Sequence, residues 1–167
     1  MSAGGSPFAR LHDSVAFQAL ERVVAARGER LGVTGLHGPA RALVLTLLLA
    51  KSRTRALVVV PDDARLSDWS RDFAAAFALI GRDPRGILLF PALDADPYDD
   101  IPPHPEVTRE RVRALGRLAR GEVDVLLLPA RALLTWLPSP PEIAAASRVI
   151  RVGDTVESLR AFDPDHQ

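Results

Sequence analysis

The sequence predicts an α/β domain built on a mostly parallel sheet with helices on both faces. Short apolar runs rich in valine and leucine alternate with longer segments whose apolar residues recur at helical spacing. Several of these runs end at a proline, which cannot continue a hydrogen-bonded ladder and therefore marks where a buried strand stops. The length of 167 residues suits one domain with a core of its own.

Composition narrows the range of functions. The 21 basic residues equal the 21 acidic ones, which argues against a long basic arm for nucleic acid and against an acidic tail. The absence of cysteine excludes a disulfide framework, a thiolate metal site and a cysteine nucleophile in this chain. The first residues hold no apolar signal core, and the longest apolar run is too short for a membrane span. We therefore expect a cytoplasmic protein without membrane contact.

Residues 1–12 are predicted to form a flexible tail, because they are mostly small or polar. Asp13 or Ser14 then caps a helix, since either side chain can accept a hydrogen bond from a free N–H of the first turn. This helix runs to Arg27 and ends at Gly28, a residue that readily takes the left-handed conformation of a helix stop.

The next segments predict a strand, a turn and a helix. Residues 30–34 form a short apolar run typical of a strand, and residues 35–38 form a glycine turn. Pro39 starts a helix, because the first helical position needs no N–H, and this helix continues to about Lys51. The β-branched run at residues 56–60 predicts a strand buried within a parallel sheet.

The second half of the chain continues the alternation. Asp62 or Asp63 caps a helix that ends at Gly81, and residues 86–90 predict another strand. The acidic, proline-rich residues 91–105 predict an extended loop. The remaining predicted elements are, in order, a helix at 105–120, a strand at 123–128, a short helix at 130–137, a linker at 138–141 and strands at 148–152 and 155–162.

The most informative segment joins the predicted strand at 30–34 to the helix that starts at Pro39. An α/β protein places a phosphate-binding loop at such a junction, because backbone N–H groups and a helix N-terminus converge there. The working motif is G-x-x-x-x-G-K-[ST], and from Gly35 onward this chain has GLHGPARA. The first glycine is kept, but the rest of the motif is changed.

Each change removes a part that phosphate binding needs. Ala40 stands at the second glycine, Arg41 replaces the lysine, and Ala42 replaces the hydroxyl residue that holds Mg²⁺. Pro39 removes one N–H of the cradle. A simple glycine turn that enters a helix explains the same residues. The alternative interpretation is a disabled nucleotide site, with no catalytic or metal-binding residue, formed by Gly35, Gly38, Ala40, Arg41 and Ala42.

The chain resembles the N-terminal UvrB-like module of the bacterial transcription-repair coupling factors (Mfd). The motifs that carry the resemblance are, in order, TGLHGPARALVL at 34–45, LVVVPD at 57–62, FPALDADPYD at 90–99, PHP at 103–105, VLLLPARALL at 125–134 and VGD at 152–154. No single motif is specific for the family, but the order and spacing of all of them together are. The matching stretches cover about residues 31–167.

The resemblance implies a RecA-like helicase fold at residues 13–154, as in the first domain of UvrB, with the phosphate loop lost. It implies a non-catalytic module for nucleotide excision repair that docks on the motor domains of its factor, restrains them and recruits UvrA. The parent family is an ATP-dependent DNA translocase, so ATP and Mg²⁺ would belong to those motor domains. RNA polymerase and DNA would be bound by other parts of the factor, and this chain would need no cofactor.

One departure from the family concerns the C-terminal segment. In the family, the VGD motif leads into an inserted domain that carries the UvrA-binding surface. Here it runs directly into residues 155–167, which resemble a truncated return strand of the same UvrB-like domain. We therefore expect the inserted domain to be missing, and we do not expect the family's usual UvrA-binding surface in this chain.

Other interpretations stay open at this point. A P-loop-like domain that still binds a nucleotide, or a fragment of a UvrB-like repair helicase, is the alternative function. The arginine-rich residues 106–122 could contact nucleic-acid phosphate, although a solvated or docking helix face explains them equally. His104 with Asp99 and Asp100 offers a metal site, and a loop fixed by prolines is the structural alternative.

Overall fold

Three parallel strands form the centre of the fold: β1 (Ala56–Val60), β2 (Ile87–Leu89) and β3 (Val125–Pro129). The computed structural model describes residues 7–26, 28–94 and 102–146. β3 lies between the other two strands, so that Ala56 of β1 and Ile87 of β2 both lie beside Val125. The predicted parallel sheet is thereby confirmed.

Six α-helices accompany the sheet in the described part of the chain. They are α1 (Ala9–His12), α2 (Val15–Ala26), α3 (Pro39–Ser52), α4 (Asp63–Leu79), α5 (Pro105–Ala119) and α6 (Pro140–Ala146). Short 3₁₀ helices lie at Pro84–Gly86 and Ala130–Leu134. Helices cover both faces of the sheet, as the sequence predicts.

Local sequence signals set the ends of several helices. Ser14 Oγ accepts a hydrogen bond from the Phe17 N–H at 3.2 Å, and Asp62 Oδ1 accepts one from the Arg65 N–H at 2.8 Å. Both side chains act as N-terminal caps. The backbone has a φ of +69° at Gly81, just beyond α4, where a side chain would be strained. The predicted caps and the predicted stop are therefore confirmed.

One face of the sheet is closed by α3 and α4. Val58 of β1 and Leu127 of β3 lie on this face, and Phe73 and Phe77 of α4 pack against them with no exposed surface. α2 packs on the outer side of α3 through the buried ring of Phe17.

The opposite face is closed only in part. α5 and the 3₁₀ helix Ala130–Leu134 pack over β2 and β3, where Leu88 and Leu128 are buried. Over β1 this face is open, because Leu57 is 57% exposed and Val59 is 46% exposed. The prediction of a strand buried on both faces is therefore wrong for β1, since no helix among the described residues covers this side of it.

The predicted strand at residues 30–34 is also wrong. These residues have no regular secondary structure, and the described sheet contains only the three strands named above. Leu31 and Val33 are 50% and 49% exposed. A five-residue strand is stable only beside a partner that takes up its backbone hydrogen bonds, and no described strand lies next to this segment.

The structure differs from the prediction near both ends of the described chain. Residues 9–12, expected in the flexible tail, form α1, and Leu11 packs against the core around Phe17. Residues expected in a linker at 138–141 include the start of α6. The signal was a capping box, because Glu142 Oε2 accepts a hydrogen bond from the Ser139 N–H at 2.7 Å. The predicted short helix at 130–137 is a 3₁₀ helix at Ala130–Leu134.

Some predictions fall outside the described residues. These are residues 1–6 of the predicted tail, residues 95–101 of the acidic loop, and the predicted strands at 148–152 and 155–162 with the return segment 155–167. Among the helices that are described, none combines the length and the apolar character needed to cross a lipid bilayer.

Replacing Phe73 by alanine is expected to lower the free energy of unfolding by about 3–5 kcal/mol, because it leaves a cavity between α4 and the sheet. Urea denaturation followed by circular dichroism measures this change. Leu79→Ala is the control on the same helix, because Leu79 is 65% exposed and its truncation should cost no more than about 0.5 kcal/mol. Equal losses in the two variants would contradict the assignment of Phe73 to the core.

Candidate functional site

The glycine turn at residues 35–38 uses its own hydrogen-bonding groups to enter α3. Gly35 and Gly38 have φ values of +82° and +51°. The Ala40 N–H donates to the His37 carbonyl at 3.2 Å, and the Arg41 N–H donates to the Gly38 carbonyl at 3.3 Å. A phosphate-binding loop keeps such N–H groups free for its ligand. With Pro39 lacking an N–H, the first positions of α3 offer little to an anion.

Arg41 is directed along the protein surface toward α4. Its guanidinium lies over the Trp69 ring, with Cζ 4.6 Å from the ring centroid, and its Nε donates to the Gly38 carbonyl at 3.5 Å. A cation over an aromatic face is stabilised by the ring quadrupole. The residue at the lysine position of the motif therefore joins α3 to α4.

Ala42, at the position of the Mg²⁺-binding hydroxyl, belongs to the core. It is 1% exposed and packs in the cluster that contains Val60, Leu66 and Phe77. An oxygen placed here would face apolar side chains instead of a solvated cation. The five residues of the predicted nucleotide site therefore lie together, as a turn and the first turn of α3, but their contacts are those of a structural junction.

The surroundings of the turn also differ from those of a phosphate loop. Such a loop follows a strand of the sheet, whose end aims the turn at the ligand. Residues 30–34 are not part of the described sheet. No strand of the described sheet therefore leads into the turn, whose place is set by the packing of α3.

A buried arginine holds the segment that follows β2. Arg111 of α5 is 6% exposed, its Nη1 donates to the Pro91 carbonyl at 2.7 Å, and its Cζ lies 3.9 Å from the centroid of the Phe90 ring. Burial lowers the pKa of the Arg111 guanidinium below its usual value, although an arginine stays charged near neutral pH. Sequence reasoning missed this residue.

The position of Arg111 on α5 is the sequence feature that could have predicted its burial. Residues 111, 114 and 115 share one face of that helix, and Ala114 and Leu115 pack against the core. An arginine on such a face has to find a partner within the protein, because a buried charge without hydrogen bonds is costly. The carbonyl of Pro91 and the ring of Phe90 are those partners.

The two ends of the acidic loop are fixed by carboxylates. Asp63 Oδ1 accepts from the Ala92 N–H at 3.2 Å, and Asp94 Oδ1 accepts from the His104 N–H at 3.0 Å. His104 itself caps α5, since its Nδ1 accepts from the Glu106 N–H at 3.3 Å. These contacts favour the structural interpretation of His104. Among the described residues no group of three His, Cys, Asp or Glu side chains is arranged to hold a metal ion, and Asp99 and Asp100 lie outside them.

Part of the basic charge on α5 is used within the protein. Arg117 donates to the Arg85 carbonyl at 2.7 Å and lies 3.4 Å from a carboxylate oxygen of Glu122. Arg120 pairs with the other oxygen of Glu122 at 2.9 Å. These contacts favour a solvated, internally paired helix end over a row of free cations for nucleic-acid phosphate.

An apolar groove follows the open side of the sheet. It has a volume of about 480 Å³ and runs between β1, α5 and the segment after β3. Its lining includes Leu57, Leu115, Leu118, Leu126, Leu133 and Leu137. Trp136, beside the groove lining, is 96% exposed. The sequence did not reveal this groove, because each leucine taken alone fits a core position.

Comparison with known proteins finds that the chain is similar to transcription-repair-coupling factors. Over 152 residues, 87% of the chain, the sequence is 33% identical to a transcription-repair-coupling factor of Myxococcus xanthus. Over 115 residues, 69% of the chain, it is 28% identical to a transcription-repair-coupling factor of Haemophilus influenzae. The chain spans only 12% and 10% of the length of these curated relatives. No protein-family model and no solved structure matches the chain.

Replacing Arg111 by methionine is expected to lower the free energy of unfolding by about 1.5–3 kcal/mol, because the buried Pro91 carbonyl loses a charged donor. Denaturant titration measures the loss. Arg113→Met is the matched control, because Arg113 lies exposed on the same helix and should change stability by no more than about 0.5 kcal/mol. If the Arg111 variant were as stable as this control, the guanidinium would not be holding the loop.

Proposed function

We propose that this chain, a relative of the transcription-repair-coupling factors over most of its length, is a non-catalytic module of such a factor. Its role would be to dock on other domains of the factor in the cytoplasm, to restrain the motor domains and to support the recruitment of repair proteins. The observation that carries the proposal is the structure of residues 38–42. In a phosphate-binding loop these positions supply the free N–H groups, the lysine and the Mg²⁺-binding hydroxyl.

The contacts of this segment support a structural role over catalysis. Arg41 is engaged with Trp69, and Ala42 is enclosed in the core. Phosphoryl transfer depends on a lysine and a metal ion to stabilise the charge on the transferred phosphate. A chain without either group at this place has no evident means of supplying that stabilisation.

The similarity to transcription-repair-coupling factors supports the biological setting. Two such proteins from different bacteria match the chain, and each is many times longer than the region matched. A module within a large factor acts through its contacts with neighbouring domains. Recruitment of UvrA through the inserted domain is not part of the proposal, because the VGD motif at 152–154 continues directly into residues 155–167.

A titration with a fluorescent ATP analogue and Mg²⁺ tests the non-catalytic assignment. We expect no saturable binding up to about 1 mM, which corresponds to a binding free energy weaker than about −4 kcal/mol. A UvrB protein with an intact phosphate loop serves as the positive control. Saturable binding in the micromolar range, or any hydrolysis, would instead favour a nucleotide-binding domain.

Capture of motor-domain fragments of a transcription-repair-coupling factor tests the docking role. The full chain is expected to retain such fragments on a column, and a column of an unrelated α/β domain is the control. Absence of capture, measured at protein concentrations up to about 100 µM, would remove the docking role and leave the result on nucleotide binding intact.

Restoring the motif residues is not expected to restore hydrolysis. The triple variant Ala40→Gly, Arg41→Lys, Ala42→Thr gains a lysine and a hydroxyl, but the threonine replaces an alanine within the core. A phosphate-release assay with ATP and Mg²⁺ should give the same background for the variant and the unaltered chain. The variant's circular dichroism spectrum shows whether it folds, and turnover above background would disprove the expectation.

A further inference from the structure

A polar pocket with a volume of about 410 Å³ lies at the end of α3 that is remote from the glycine turn. Here the segments that lead into β1 and β3 meet the end of α3 and the segment that follows α4. Charged residues form much of its lining, namely Arg53, Arg55, Arg82, Glu122 and Asp124. The 14 residues of α3 separate this arginine-lined pocket from the turn by about 20 Å, so it is distinct from the degenerate phosphate loop.

Both carboxylates of the arginine-lined pocket are paired with arginines of the same chain. Asp124 Oδ1 lies 2.9 Å from Arg82 Nη2. Glu122 lies 2.9 Å from Arg120 and 3.4 Å from Arg117. Neither carboxylate therefore remains to neutralise the other two arginines of the lining.

Those two arginines keep most of their hydrogen-bonding capacity. Arg55 Nη2 donates to the Gly121 carbonyl at 3.0 Å, which holds the guanidinium at the wall of the pocket. The side chain of Arg53 is exposed and makes no hydrogen bond or ion pair within the described ranges. A guanidinium has five N–H donors and no acceptor, so both groups can bind further oxygen atoms.

The backbone of Arg53 shows that this side chain does not serve the end of the helix. Its φ is +52°, and no other non-glycine residue in the described part of the chain has a positive φ. Glycine takes this conformation after a helix at much lower cost. Lys51 already supplies a cation to the last turn of α3, where it also lies 2.6 Å from Glu21. The arginine side chain is therefore available for a contact outside this domain.

The charges of the arginine-lined pocket favour carboxylates over phosphates as ligands. Two guanidinium groups lie beside two carboxylates and the negative end of the α3 dipole, so the local excess of positive charge is small. A nucleic-acid backbone needs a row of cations that neutralises successive phosphates. Single carboxylates need less charge, and the planar fork of an arginine binds them through two parallel hydrogen bonds.

We propose that Arg53 and Arg55 bind the carboxylates of an acidic segment in another domain of the factor. The inference rests on the proposed docking role and deepens it, because it names the surface of this chain that docks and the chemistry of the surface that it meets. Arg82 and Gly121 hold the wall of the pocket in place.

A titration of the full chain with a hexaglutamate peptide, followed by NMR, tests the chemistry of the site. The amides of residues 53–55 and 121–124 should shift saturably. The affinity should fall as salt is added, because exposed ion pairs are screened. A hexalysine peptide is the control and should leave these amides unchanged. Absence of saturable shifts, or equal shifts with both peptides, would overturn the proposal.

Replacing Arg53 by glycine separates binding from folding. The glycine relieves the positive φ, so the urea midpoint should stay the same or rise. The affinity for hexaglutamate should fall about threefold in Arg53→Gly and about tenfold in Arg53→Gly/Arg55→Gln, since each exposed pair contributes modestly. A lower urea midpoint of Arg53→Gly with unchanged affinity would assign the side chain a structural role and overturn the proposal.

The matched control removes the same charge elsewhere. Arg65 and Arg109 are exposed and lie outside the arginine-lined pocket. Arg65→Gln/Arg109→Gln should keep the affinity for hexaglutamate within about twofold. If this control lost as much affinity as Arg53→Gly/Arg55→Gln, the attraction would be a property of the net charge, and the proposed site would be wrong.

Capture of motor-domain fragments by the same variants connects the pocket with docking. Arg53→Gly/Arg55→Gln should retain about tenfold less of the fragments than the unaltered chain, and the control variant should retain the usual amount. Equal capture by all three chains would overturn the pocket proposal and leave the docking role intact. Capture by none of them would remove the docking role and this proposal together.

Nucleic acid is the competing ligand of the arginine-lined pocket. A duplex oligonucleotide added to the chain with bound hexaglutamate should not displace the peptide. Displacement by the duplex, together with loss of duplex binding in Arg53→Gly/Arg55→Gln, would assign the pocket to nucleic-acid phosphate and overturn the proposal.

Discussion

The fold depends on the hydrogen bonding of β3 to a strand on each side. A strand in this position is surrounded by protein in every direction, and Val125 and Leu127 accordingly have no exposed surface. Because both neighbours run parallel to β3, each connection has to cross a face of the sheet with a helix. α4 and α5 supply these crossings on opposite faces. The layered arrangement, and with it both hydrophobic clusters that touch the sheet, follows from this one constraint.

The first turn of α3 shows how the packing determines chemistry. α3 contributes Ala42 and Leu49 to the face of the sheet that carries Val58, so the helix cannot rotate to present position 42 to solvent. Arg41, one position earlier, lies at the margin of this contact and meets Trp69 of α4. A segment that in an active nucleotide-binding protein would bind phosphate here holds two helices together.

Signals contained within a few residues were sufficient for most helix boundaries. The Ser14 and Asp62 caps and the stop at Gly81 depend only on local hydrogen bonds and on backbone φ, which neighbouring residues decide. The capping box at Ser139 is equally local, and it could have revealed α6. The strand expected at 30–34 failed for a different reason, because an apolar run becomes a strand only where a partner accepts its backbone bonds. The residues of the predicted nucleotide site lie together in one turn, but their contacts with Trp69 and with the core depend on other elements.

The alternation of strands and helices, the ends of most helices and the loss of the phosphate-loop residues can all be predicted from the amino-acid sequence. These are properties of residue identity and of spacing along the chain. The packing of the elements was needed to show that Arg111 holds the loop after β2, that one face of β1 is open, and that an apolar groove lies beside it. Each of these depends on which faces of distant elements meet. These contacts join residues that are far apart in sequence. The local sequence around one residue therefore does not indicate which distant residue it contacts.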